Sequence, residues 1–86
     1  MHLRWNLFKS YCIDHNIQLL KGDFEHIERQ LGKIKKNLHR AVLKDFTDLW
    51  LSELKKIENC PRAQNKARRA SNIWLIEECD ILKDLK

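Results

Sequence analysis

The sequence predicts an all-α fold: a long antiparallel helical hairpin braced by a short N-terminal helix, with three to four helices in all. Apolar residues recur at steps of three and four over most of the 86 residues, as expected for helices with one buried face. Two Gly and one Pro are few for a fold rich in tight turns. That one proline, Pro61, divides the apolar pattern, because the residue before a proline avoids helical geometry.

The first helix is predicted over roughly residues 3–15 from the spacing of its apolar side chains. Asn16 is suited to end this helix, since asparagine tolerates the left-handed backbone conformation found at many helix ends. Residues 16–22 are predicted to form a connector whose apolar side chains pack against the core.

The second helix is predicted over residues 23–59, with Asp23 as its N-cap. Its apolar stripe consists of Phe24, Ile27, Leu31, Ile34, Leu38, Val42, Phe46, Leu49, Trp50, Leu54 and Ile57. Gly32 disfavours helix by about 1 kcal/mol relative to alanine. A bend or break near residue 32 is therefore the alternative to one continuous helix.

The third helix is predicted to start with Pro61 in its first turn and to run to about residue 84. Small side chains line one stripe of its first half and would let another helix approach closely. These are Ala63, Ala67 and Ala70, followed by Trp74. The first half is basic and the second half is bulky and acidic, so the helix carries opposite charges at its two ends.

Size and composition favour one small domain over residues 1–86. A chain this short buries a modest core, so a homodimer or docking on a larger complex would add stability. The N-terminus lacks the features of a secretory signal, and no apolar run approaches the ~18 residues of a membrane span. We expect a cytoplasmic protein with no membrane partner. Its three cysteines, an odd number, fit reduced thiols better than a disulfide framework.

Positive charge is concentrated in two tracts that contain no carboxylate. Residues 33–44 carry five cations and residues 61–71 carry four, whereas the formal net charge of the whole chain is +5. Such segregation favours a polyanionic partner over a uniformly solvated surface. A solvated helix face is the alternative interpretation of either tract.

Helical spacing places these cations on defined faces, and they are the candidate binding residues. The second helix contributes Lys33, Lys36, Arg40 and Lys44, and the third contributes Arg62, Lys66 and Arg69 with an adjoining row of Asn65, Arg68 and Asn72. The face formed by residues 62–69 is the leading contact surface, because arginine makes bidentate contacts that lysine cannot make.

The acidic end of the third helix offers a competing explanation for the first tract. In an antiparallel hairpin it would lie opposite residues 33–44, and its carboxylates would pair with the cations there. These carboxylates are Glu77, Glu78, Asp80 and Asp84. Only the face of residues 62–69 would then remain free.

We therefore predict a small regulatory protein that binds RNA or DNA along the phosphate backbone, either alone or as a subunit of a nucleoprotein complex. Base readout by a helix-turn-helix is disfavoured, since the segment before Pro61 is too long for the first helix of that motif. The alternative is a protein-interaction factor, an adaptor or an inhibitor, that docks on an acidic protein surface. Trp5 either packs in the core or serves as an exposed aromatic anchor.

The motifs of catalysis and metal binding are weak or missing in the sequence. We find no glycine-rich phosphate loop, no nucleophile motif and no HExxH pattern, so we expect a protein without enzymatic activity or a cofactor. Cys12 and His15 form one half of a zinc-binding pattern, but no second closely spaced pair completes it. Cys12 and Cys79 are instead predicted to be small core residues.

Overall fold

The computed structural model describes residues 2–57 and 61–84, with side chains from residue 6 onward. These residues form four helices and no strand: α1 His2–Asp14, α2 Lys21–Leu31, α3 Lys36–Lys56 and α4 Ala63–Leu82. α3 and α4 pack against each other as an antiparallel hairpin, and α2 packs against α4. The predicted all-α hairpin with three to four helices is confirmed.

Asn16 ends the first helix as predicted. Its φ is +59°, in the left-handed region, and it is the one described residue other than glycine with a positive φ. The N–H of Ile17 donates to the carbonyl of Cys12 at 2.8 Å, and the N–H of Asn16 donates to the carbonyl of Ile13 at 3.2 Å. These two bonds form a Schellman motif, which turns the chain so that Ile17 is buried.

The second helix begins two residues earlier than predicted, and Asp23 is not its N-cap. Leu20 is the N-cap, and Asp23 lies in the first turn. The Asp23 carboxylate accepts the Leu20 N–H at 2.9 Å, so it satisfies a backbone donor from inside the helix instead of from the cap position. Only 5% of Asp23 is exposed, which an N-cap assignment did not predict.

The predicted helix over residues 23–59 is broken between Leu31 and Lys36, so the single-helix interpretation is wrong and the alternative is confirmed. Gly32 keeps a right-handed helical conformation, with φ −63° and ψ −16°. The chain changes direction at Lys35, whose ψ is 145°. The break lets Ile34 reach the core, where it is 8% exposed.

The ends of the last two helices also differ from the prediction. α3 ends at Lys56, and the predicted end at 59 lies outside the described residues. Pro61 and Arg62 form a turn ahead of α4, which starts at Ala63, two residues later than predicted. These shifts leave the antiparallel pairing unchanged.

The core lies between α2, α3 and α4 and is extended by residues of α1. Trp50 and Phe46 of α3 are its largest fully buried side chains, and Phe8 of α1 meets Phe24 of α2 edge to face at 6.3 Å. The buried apolar side chains are Phe8, Cys12, Ile17, Ile27, Leu31, Ile34, Val42, Phe46, Trp50, Ala67, Leu75 and Cys79. The predicted core positions of Trp50, Cys12 and Cys79 are confirmed, and Trp74 is half-buried against the same core.

Some apolar side chains of α4 face outward instead of continuing its buried stripe. Ile73, Ile76 and Ile81 are 48%, 38% and 65% exposed. Within the described residues, no helix combines the length and the apolar character that crossing a membrane requires.

Candidate functional site

A buried ion pair fixes the first half of α4 against α2. The Arg68 guanidinium donates from Nε to the Asp23 carboxylate at 2.7 Å, and the two side chains are only 16% and 6% exposed. The second Asp23 oxygen accepts from the side-chain amide of Asn72 at 3.2 Å. Asp23 therefore receives donors from α4 and from the backbone of Leu20.

The remaining donors of Arg68 are also used within the chain. One guanidinium nitrogen donates to the side-chain oxygen of Asn65 and the other to the backbone carbonyl of Gln18. The guanidinium carbon lies 5.4 Å from the centre of the Trp50 ring, a cation–π distance. Arg68 consequently links three segments of the fold: the connector after α1, the start of α2, and α3.

Gln64 extends this network toward the connected end of the hairpin, at the start of α4. Its side-chain oxygen accepts from Trp50 Nε1 at 3.0 Å and from the backbone N–H of Gln18 at 3.2 Å. Its amide nitrogen donates to the carbonyl of Asn16 at 2.8 Å. The indole N–H of the buried Trp50 therefore has a hydrogen-bond acceptor. The bond from Gln64 to Asn16 holds the left-handed turn after α1 against α4.

The row of Asn65, Arg68 and Asn72 is thus engaged inside the subunit. Helical spacing places this row beside the basic residues of α4, among the candidate contact residues. In the structure these side chains bind Asp23, Gln18 and one another. Their hydrogen-bonding capacity stabilises the packing of α2 on α4.

Arg62, Lys66 and Arg69 point away from this network. All three are exposed, and within residues 6–57 and 61–84 none of their side chains forms a hydrogen bond or an ion pair. We call these three residues the α4 basic face. Arg62 and Arg69 are seven residues apart, which is about 10 Å along a helix axis.

Only some of the candidate cations in residues 33–44 are free to bind an external anion. Lys33 lies 3.7 Å from Asp80 across the hairpin, and Lys44 lies 3.4 Å from Asp48 one turn further along α3. Lys36 and Arg40 are exposed and form no ion pair with the residues the structure describes. The acidic end of α4 thus pairs with one of the four candidate cations of this tract.

The α4 basic face and the cations of residues 33–44 lie at opposite ends of the hairpin. Trp50 meets Gln64 near the connected end, whereas Lys33 meets Asp80 near the other. α4 is 20 residues long, or about 30 Å. The two faces are therefore separate surfaces, and the α4 basic face is the more uniformly charged one.

The remaining candidates add little to this surface. The side chain of Trp5 lies outside the described side chains, so its predicted role as an anchor stays a prediction. No group of three or more metal-ligating side chains occurs among the described residues. Burial raises the pKa of the Cys12 thiol to about 12 and also raises that of Cys79, which keeps both in the unreactive thiol form.

Sequence reasoning missed the structural roles of Asp23 and Gln64. Asp23 has a self-consistent local interpretation as a cap, and Gln64 lies within the basic tract of residues 61–71. Their true partners are 45 and 46 residues away along the chain, at Arg68 and Gln18. No local signal reveals a pairing at that distance.

No protein-family model, curated protein or solved structure matches this chain.

Proposed function

We propose that this protein binds the phosphate backbone of RNA or DNA through Arg62, Lys66 and Arg69, without catalysing a reaction. The observation that carries the proposal is that these three exposed cations share one face and have no anionic partner among the described residues. The α4 basic face therefore keeps its full charge for an external anion.

The dimensions of this face suit a nucleic-acid strand. The three cations extend over about 10 Å of helix, and a strand of B-form DNA presents one phosphate per ~3.4 Å of axis. About three phosphates therefore fit alongside them. No side chain caps the start of α4. The positive end of the helix dipole therefore adds to the positive potential of the α4 basic face.

The buried network supports this role by holding α4 in place. Arg68 and Gln64 tie its first turns to α2, α3 and the connector after α1. Cations on an element fixed in this way lose less conformational freedom on binding than cations on a loose segment. Arg68 acts here as a positioning residue and not as a phosphate ligand.

Fluorescence anisotropy with labelled single- and double-stranded oligonucleotides, over a range of salt concentrations, tests the proposal. Three neutralised phosphates predict a slope of log K against log salt of about −2.7 on duplex DNA. From that slope, affinity should fall by about 40-fold between 50 and 200 mM salt.

The decisive variant replaces all three cations by glutamine, as R62Q/K66Q/R69Q. We expect weaker binding by a similar factor for every oligonucleotide sequence, together with loss of most of the salt slope. The matched control, K9Q/K21Q/R29Q, changes the net charge equally through exposed cations of α1 and α2 that lie outside both basic tracts. The control should retain most of the affinity, which separates a defined face from overall charge.

Absence of binding to both kinds of oligonucleotide at low salt would overturn the proposal. It would favour the alternative, a factor that docks on an acidic protein surface. Equal losses in the two triple variants would show that net charge, and not the α4 basic face, governs binding.

A further inference from the structure

The exposed face of α4 continues beyond its basic part and changes sign. Within α4, residues at steps of three and four share this face, and Arg62 and Asp84 continue the same spacing just beyond the two helix ends; all seven residues are exposed. In chain order they are Arg62, Lys66, Arg69, Ile73, Glu77, Asp80 and Asp84. The face thus consists of three cations, one isoleucine and three carboxylates.

The order of these residues is symmetric about Ile73. For each cation that precedes Ile73, a carboxylate follows Ile73 at the same distance in sequence. The pairs are Arg69 and Glu77 at four residues from Ile73, Lys66 and Asp80 at seven, and Arg62 and Asp84 at eleven. Two copies of this face, crossed antiparallel at Ile73, would place every cation opposite a carboxylate.

We infer that the partner of this face is a second copy of the same chain, in a two-fold symmetric dimer. A two-fold interface uses the same patch on both subunits and so requires a self-complementary surface. The antiparallel arrangement satisfies that requirement, whereas a parallel one would bring like charges together. The pattern therefore selects both the partner and its direction.

The centre of the face is apolar and exposed, as the core of an interface is. Ile73 and its neighbour Ile76 are 48% and 38% exposed, although they lie in the middle of a 20-residue helix. In the dimer, Ile73 meets its own symmetry mate at the axis. Burial of these side chains supplies the apolar contribution, and the flanking charges set the register.

The pair next to the axis, Arg69 with Glu77, is the one best placed to bind across the dimer. Asp80 already has Lys33 and Lys83 at 3.7 Å, so its attraction for a second copy is reduced. Glu77 has no ion pair among the described residues, and Arg69 has none either. Each lies about 6 Å along the helix from Ile73, and packed helices lie about 8–10 Å apart. Their long side chains span that gap.

This inference does not depend on the proposed function, although both use the same cations. If both hold, nucleic acid and a second copy compete for the α4 basic face. Self-association would then mask the cations at high protein concentration, and nucleic acid would release monomers.

Sedimentation equilibrium of the full chain, at several concentrations and two salt concentrations, tests the inference with a charge swap. R69E and E77R should each weaken dimerisation by about tenfold or more, because two symmetry-related pairs change from attraction to repulsion. The double variant R69E/E77R should restore it, since the swapped charges again face each other. Circular dichroism checks that the helices of each variant remain folded, as expected for substitutions at exposed positions.

Matched controls and the binding assay make the outcome decisive. R29E, an equal reversal at an exposed position of α2, should leave the dimer intact. The double variant should dimerise and yet bind nucleic acid weakly, so failure of one proposal is distinct from failure of the other. A monomeric mass for the unmodified chain at every concentration, or no recovery in R69E/E77R, would overturn the inference.

Discussion

Removal of Arg68 tests whether its network stabilises the fold or serves a ligand. The substitution R68M keeps an unbranched apolar stem of similar length and removes the guanidinium. It breaks the 2.7 Å bond to Asp23, the bonds to Asn65 and Gln18, and the cation–π contact with Trp50. Every one of these contacts lies within the chain.

The expected loss follows from the burial of the pair. Breaking a buried ion pair by removing one partner costs about 3–5 kcal/mol. The lower end applies here, because Asp23 keeps the Leu20 N–H and the Asn72 amide as donors. We expect R68M to lose about 3 kcal/mol, out of roughly 4–13 kcal/mol for a domain of this length.

Urea unfolding followed by circular dichroism measures this loss in the free energy of unfolding. A double-mutant cycle that combines R68M with D23N isolates the interaction energy between Arg68 and Asp23. We expect a coupling energy of about 1.5–3 kcal/mol, the range for hydrogen bonds to charged groups. R69M is the matched control, since it removes the exposed arginine next in sequence and should change stability by at most about 0.5 kcal/mol.

Two results would contradict a stabilising role for the Arg68 network. A coupling energy below about 0.5 kcal/mol would place the pair among weak surface ion pairs. Equal effects of R68M and R69M on stability would show that the network does not hold α2 on α4. A folded R68M protein should also keep the salt slope of nucleic-acid binding, because Arg68 contributes no phosphate contact.

Three further changes have defined outcomes in the same unfolding assay. Ser71 is fully buried, and its hydroxyl has no hydrogen-bond partner among the described residues. S71A should therefore raise the free energy of unfolding by about 1 kcal/mol, and a decrease would contradict this expectation. G32A should raise the free energy of unfolding by about 0.4–1 kcal/mol, because Gly32 already has helical backbone angles. The new Cβ would lie 3.4 Å from its nearest neighbour, the carbonyl oxygen of Arg29, which is an ordinary contact. Destabilisation would show that the turn after α2 does not tolerate the added methyl group. Burial raises the pKa of Cys12 from 9.0 to about 12, so its stabilising contribution is fully present well below pH 9 and is lost progressively as the pH rises from 9 toward 12. The stability difference between the unmodified chain and C12A should therefore shrink between pH 8 and 10, and a constant difference would disprove the effect.

The local signals in the sequence were sufficient for the helices and most of the core. Steps of three and four identify a buried stripe wherever one face of a helix is covered, and Ile27, Phe46 and Trp50 are buried accordingly. Asn16 was recognisable as a helix end because few residues tolerate a positive φ. These features depend on near neighbours in the chain.

The break after Leu31 was only an alternative at the sequence level. The apolar spacing continues across it, since Ile34 fits the stripe of either a broken or an unbroken helix. The extended backbone at Lys35 redirects the chain so that α3 can pack along α4. Packing between helices decided the break, and such packing leaves no periodic signal.

The all-α class, the segregation of charge and the opposite signs at the two ends of α4 all follow from the order of the residues. Which cations are free depends on how the helices pack. Arg68 and Arg69 are adjacent in sequence, yet the turn of the helix directs one toward the buried Asp23 and the other toward solvent. Helical periodicity places residues on faces, but only the position of α2 determines which of those faces is covered.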